Sequence, residues 1–99
     1  MKLCYTSKAR LDVECAFAWY EKQRRGLGSE FLTCIEATLN NVQAYPEMYE
    51  NIYANFRRAS IRRFPFSVFY SIEKEVIIIH AVFDNRQAPE KVERGIVND

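Results

Sequence analysis

The chemistry-bearing residues of this sequence gather in its C-terminal half. Between Arg57 and Arg63, four of seven residues are arginine and none is acidic. In an extended segment alternate side chains share a face, so Arg58, Ser60 and Arg62 point one way. Arg86 follows the last long apolar run, two residues after Asp84. A guanidinium is a planar, permanently charged fork that matches a phosphate or a carboxylate with two hydrogen bonds. It is a poor base, because it keeps its proton. Arg58, Arg62 and Arg86 are therefore candidates for a phosphate-facing or partner-facing patch. Asp84 is a candidate accessory group that orients Arg86 or accepts a proton. The plainer alternative is that each arginine pairs with an acid of this chain or of a bound protein.

Other reactive residues offer less. His80, the only histidine, titrates in a useful range. It lies in the middle of the apolar run Val76–Phe83 and reads as a half-buried, hydrogen-bonded structural residue. Cys4, Cys15 and Cys34 are widely separated and form no Cys-x-x-Cys pair. A zinc site needs four N or S ligands at suitable spacing, so we expect no metal and no cofactor. Free thiols in a reducing compartment are the simpler reading.

The bulk numbers bound the answer. Ninety-nine residues suffice for one domain, expected to span residues 1–99. With 48% hydrophobic residues the chain can bury a core, whereas disorder needs the opposite balance. Net charge is +1, so the basic segment is a local feature, suited to RNA or an acidic partner helix. The start of the chain has no apolar run long enough for a signal peptide. Val76–Phe83 is far short of the roughly 20 residues that span a membrane. We expect a cytoplasmic protein without membrane contact.

Specific elements must position the patch. Lys2–Thr6 alternates and reads as a first strand. Ser7 is a plausible N-cap for a helix in which Val13, Ala16, Phe17 and Tyr20 fall at helical spacing. Arg10, Asp12, Glu14, Glu21 and Lys22 mark its wet face, and Trp19 beside Tyr20 reads as core. This helix should end near Arg24 or Arg25, with Gly26 at C′. Ser29 could cap a second helix, in which Phe31, Leu32, Ile35, Leu39 and Val42 repeat to about Ala44. Pro46–Ala54 reads as a polar, tyrosine-rich loop. The period then becomes two, over Phe56–Arg63 and Phe64–Ile72. Glu73–Glu75 is a hairpin connection, and Val76–Phe83 is a strand expected to be buried on both faces. Pro89 could open a short helix through Val92. The order β-α-α-β-β-β predicts an α+β domain, its antiparallel helix hairpin packed on a mainly antiparallel sheet.

Four segments, in order, resemble the RelE/ParE superfamily of toxins from type II toxin–antitoxin (plasmid stabilisation) systems. They are Ala9-Arg-Leu-Asp-Val-Glu with Trp19-Tyr20, then Gly26-Leu-Gly-Ser-Glu-Phe31, then Pro46-Glu-Met-Tyr49. The fourth is Arg62-Arg-Phe-Pro-Phe-Ser-Val-Phe-Tyr70 with Val76–Phe83 and Asp84-Asn-Arg-Gln-Ala-Pro89. Together they cover nearly the whole chain. The resemblance implies the same β-α-α-β-β-β layout. It also implies growth arrest, relieved by an antitoxin whose tail wraps the toxin.

Members of this superfamily act in two ways. RelE-like relatives cut messenger RNA on the ribosome, and ParE-like relatives bind DNA gyrase and poison it. RNA cleavage needs a base for the 2′-hydroxyl, cations at the phosphate and an acid for the leaving oxygen. The nucleases carry an arginine within the third strand, where this sequence has Ser67. They also use a tyrosine or histidine near the C-terminus, and Lys91–Asp99 contains neither. Many relatives have histidine at position 84 and arginine at 87, where this chain has Asp84 and Gln87. The resemblance therefore points to gyrase as the target. The alternatives are a ribosome-dependent mRNA endonuclease, or a decayed, non-toxic relic that still binds its antitoxin.

Overall fold

Thr6, rather than Ser7, caps the first helix. Its backbone is extended and its hydroxyl accepts the Ala9 N–H at 3.0 Å, which satisfies one donor of the open first turn. The computed structural model describes residues 1–86. Their order is β1 (Lys2–Tyr5), α1 (Ser7–Gln23), α2 (Leu27–Ala44), β2 (Glu50–Tyr53), β3 (Phe56–Ser60), β4 (Phe66–Glu73) and β5 (Val76–Asp84). The expected helix at Pro89–Val92 lies outside the described residues.

The helix hairpin closes on glycine. Gly26 has φ 90°, a left-handed conformation that costs a Cβ-bearing residue more. The second helix begins at Leu27, so Ser29 is not its cap. Glu21 does that work: its carboxylate accepts the Gly26 N–H at 2.9 Å and the Gly28 N–H at 2.8 Å. An anion at the positive end of a helix is favourable, and Glu21 thereby leaves the wet face assigned to it. Gly28 permits the close approach, since a Cβ there would lie 2.8 Å from the Phe17 ring.

The sheet runs β1-β5-β4-β3-β2. β2 through β5 pair antiparallel, and β1 adds parallel to β5. This is the expected α+β arrangement with one strand more. The segment Pro46–Ala54, expected as a loop, contains β2. Its sequence gave little sign, because of Glu50–Tyr53 only Ile52 packs into the apolar cluster on the sheet. Pairing with β3 decides it. The preceding loop is pinned from β3 and β4: Arg57 donates to the carbonyls of Glu47 and Tyr49, and Tyr70 donates to that of Pro46. Burial, opposed by Arg57, pushes the Tyr70 hydroxyl up to about 12.

Both helices cover one sheet face. Phe31, Ile35 and Val42 pack on Ala59, Val68, Tyr70, Ile77, Ile79 and Val82. The opposite face carries a smaller cluster of Phe69 and Ala81 with Ile52, Phe56 and Phe83. On that face Ile78 and His80 stay half-buried, so β5 is not sealed on both sides as expected. Trp19 is a second correction: it is 54% exposed. α1 turns Ala9, Ala16 and Tyr20 into the core, and Trp19 sits about 100° round the helix from Tyr20.

Candidate functional site

β1 ends at Tyr5, opposite Ile79, and leaves the outer edge of β5 open from there. Backbone groups at such an edge need other partners. The start of α1 supplies them. The Thr6 N–H donates to Ile79 O at 3.0 Å, and the Thr6 hydroxyl to His80 O at 3.2 Å. The Asp12 carboxylate accepts the Val82 N–H at 3.0 Å and pairs with Lys8 at 3.1 Å. Asp12 is thus a half-buried anchor rather than part of a wet face.

A bulge then re-aims the end of β5. Phe69 pairs with Ala81, but the next residue, Tyr70, pairs with Ile79, so His80 is the extra residue. A one-residue slip exchanges faces. Val82 and Asp84 consequently turn toward the helices, beside Phe66 and Tyr20. A cleft of about 470 Å³ results between α1 and the ends of β4 and β5. Trp19, Tyr20, Phe66 and Val82 give it apolar walls. Lys8 with Asp12 and Asp84 with Arg86 also line it.

Asp84 and Arg86 form a closed pair. The Arg86 backbone N–H and Nε–H each donate to Asp84 Oδ1 at 2.8 Å, and Nη2 reaches Oδ2. These bonds hold the Asp84 carboxyl below its ordinary range and raise Arg86 further. Burial raises the neighbouring Tyr20 hydroxyl; Arg86 opposes the shift and Asp84 adds to it.

The remaining candidates are dispersed. Arg58 pairs with Phe69 across the strands, on the face away from the helices, and its guanidinium meets Glu50 at 3.3 Å. Arg62 lies exposed in the turn between β3 and β4. That turn abuts the end of β5, where Phe66 pairs with Asp84 and the Asn85 N–H donates to Pro65 O at 2.8 Å. The fold therefore brings Arg62 and Arg86 to one end of the sheet and leaves Arg58 on the far face. Glu30 of α2 joins Arg24 and Arg63 at this end, each at 3.0 Å. Arg63, with Arg24, draws the Glu30 carboxyl below its ordinary value.

Two positions bear on RNA chemistry. Ser67 is fully buried and donates to Asn85 Oδ1 at 2.6 Å. His80 Nε2 lies 2.7 Å from the Ser71 hydroxyl, which in turn donates to Glu73, and its ring meets Phe56 edge-on. Among the described residues no cluster of three His, Cys, Asp or Glu could hold a metal ion. None of their helices is long and apolar enough to cross a membrane. Sequence reasoning missed Asp12 and the exposure of Trp19. A usable signal existed in Leu11, Cys15 and Trp19, an i, i+4, i+8 stripe that is exposed throughout.

Over residues 3–89 the sequence matches the family model described as ParE toxin of type II toxin-antitoxin system, parDE. The chain belongs to the ParE toxin family. No curated protein matches it. Among solved structures, a chain of the chromosomal ParDE TA system from P. aeruginosa superposes with a TM-score of 0.76 at 18% identity. The match covers 85% of this chain and 95% of that one, and at this identity it speaks for the fold. Residues of the four segments have physical roles in this fold. Ala9 is fully buried and Asp12 ties α1 to β5. In the Arg62–Tyr70 run, Phe64, Phe66, Val68 and Tyr70 enter the core under the helices.

Proposed function

We propose that this ParE-family chain arrests bacterial growth by acting on DNA gyrase and is neutralised by a cognate antitoxin. One observation carries the choice of target. The resemblance puts Ser67 where nuclease relatives carry a third-strand arginine, and Ser67 is fully buried against Asn85. A guanidinium for the scissile phosphate has no equivalent there. Other groups that RNA cleavage would draw on are engaged in the fold: Arg58 with Glu50, and His80 with Ser71. Binding a protein target demands no acid–base pair. Gyrase as the target places the action in the cytoplasm.

The antitoxin reading rests on the cleft. An amphipathic tail that folds on binding can lay its apolar side along Trp19 and Val82. Its polar side then meets the two ion pairs.

The test is brief induction without antitoxin, followed by mapping of RNA 5′ ends and by a supercoiling assay with purified gyrase. Loss of supercoiling with no new RNA ends is the expected result. New ends at fixed codon positions would make this a ribosome-dependent nuclease. Growth that continues with neither effect would identify a relic.

A further inference from the structure

Six cations gather at one pole of the molecule. Lys22 lies in the last turn of α1, with Arg24 and Arg25 in the connection after it; Arg62 and Arg63 lie in the β3–β4 turn; Arg86 follows β5. The three segments touch. Arg24 and Arg63 each take one oxygen of Glu30, and the Asn85 N–H reaches Pro65 O. The carboxylates from these elements at the pole are Glu21, Glu30 and Asp84. Glu21 is occupied by two backbone N–H groups, Glu30 is divided between two guanidiniums, and Asp84 is closed on Arg86. Arg25 and Arg62 are exposed and make no hydrogen bond or ion pair among the described residues. Among the described residues, six cations against three carboxylates leave an excess of three there, on a chain of net charge +1. Glu36 lies farther along α2 than Glu30, Glu47 and Glu50 lie after α2 and at the start of β2, and Glu73 and Glu75 lie at the β4–β5 turn, the opposite end of those strands from Phe66 and Asp84.

We infer that this pole docks the phosphate backbone of duplex DNA. Guanidiniums match phosphate oxygens in geometry as well as charge. Two neighbouring turns present them from separate segments, as a line of phosphates would require. The aromatic rings of the pole favour backbone contact over base contact. Tyr20, Phe31 and Phe64 interlock at 4.9–5.2 Å between centroids and are buried. Trp19, the exposed ring nearby, lines the cleft. Single-stranded RNA is gripped by stacking bases on exposed rings, and a protein interface centres on an apolar anchor. Only Arg86 shares a surface with such a ring, across the cleft from Trp19; among the described residues no exposed ring stands beside Arg25, Arg62 or Arg63. Duplex DNA presents a charge about every 1.7 Å of axis and needs no base readout to bind. This inference goes beyond the gyrase reading: the toxin itself touches DNA, whichever protein it poisons.

The experiment is fluorescence anisotropy of a short labelled DNA duplex with the full chain, over a series of salt concentrations. Binding should be weak, with Kd on the order of 10⁻⁴–10⁻⁶ M, and should fall steeply as salt rises. The double variant Arg25→Ala/Arg62→Ala should bind more weakly, with its log–log salt slope shallower by about two. Neither residue has a partner to lose among the described residues, and a thermal melt checks that the fold is intact. Arg10→Ala, at the other end of α1, should change neither quantity. No salt-dependent binding, or an unchanged slope in the double variant, overturns the inference. So does poly-glutamate that displaces the duplex as well as unlabelled DNA does, which assigns the pole to an acidic protein. Tighter binding of a single-stranded RNA of equal length also overturns it, in favour of RNA.

Discussion

Asp12 and Val82, seventy residues apart in sequence, are joined by a 3.0 Å hydrogen bond from the Val82 N–H to the Asp12 carboxylate. The bond stands where a strand neighbour would be, past the end of β1. It fixes α1 against the bulged end of β5 and so sets the width of the cleft.

Asp12→Ala should therefore cost about 1–3 kcal/mol, because the Val82 N–H is left without its acceptor. Urea unfolding should show a lower midpoint, and the Val82 amide should exchange faster with solvent. A midpoint equal to the parent's would mean that water replaces the carboxylate at no cost.

Trp19→Ala should stay soluble and fold cooperatively, losing about 1 kcal/mol or less, since the residue is 54% exposed and its ring contact with Tyr20 is an edge-to-face one. Its affinity for the antitoxin should fall strongly, as expected for an exposed aromatic that anchors a partner. Val82→Asp should behave oppositely and abolish folding, because Val82 is 3% exposed in the core. Insoluble Trp19→Ala protein would contradict the exposure of α1's outer stripe.

The pair of Asp84 and Arg86 makes a pH prediction. The folded Asp84 carboxyl lies below its unfolded value of about 3.9. A lowered folded pKa contributes stability above the unfolded value and loses it as pH falls through the folded one. The contribution is therefore present at neutral pH and disappears at the acid end. Carbon-13 NMR titration should show Asp84 below the usual carboxylate range, and Arg86→Ala should move it upward. An unmoved titration curve would show that Arg86 does not hold the carboxyl in solution. The guanidinium is 68% exposed, so the effect on overall stability should be small.

Replacing Arg58, Arg62 and Arg86 together with alanine should abolish growth arrest while thermal unfolding stays cooperative. Arrest that persists in the triple variant would remove these residues from the toxic surface.

Much of the layout was legible in the sequence. Val13, Ala16 and Tyr20 in α1, and Phe31, Ile35, Leu39 and Val42 in α2, repeat at helical spacing, and the alternation from Phe56 to Ile72 marks β3 and β4. These patterns survive because burial against one layer imposes one period. β2 escaped notice, since a short edge strand needs few apolar residues and its partner lies in β3. Caps were misplaced by one to three residues because the decisive acceptor at α2, Glu21, reaches across the hairpin rather than along the chain.

The candidate site divides differently. The sequence alone determined that arginines cluster between 57 and 63, that Arg86 follows Asp84 by two, and that a serine stands at position 67. Residue type and spacing suffice for such statements. Only the tertiary structure decided which arginines meet. The pairing of β3 with β4 put Arg58 on the far face, and the bulge at His80 turned Asp84 toward the helices. Glu30 drew Arg24 and Arg63 to the same end as Arg62 and Arg86. Strand register and long-range hydrogen bonds set these relationships, and both depend on residues tens of positions away.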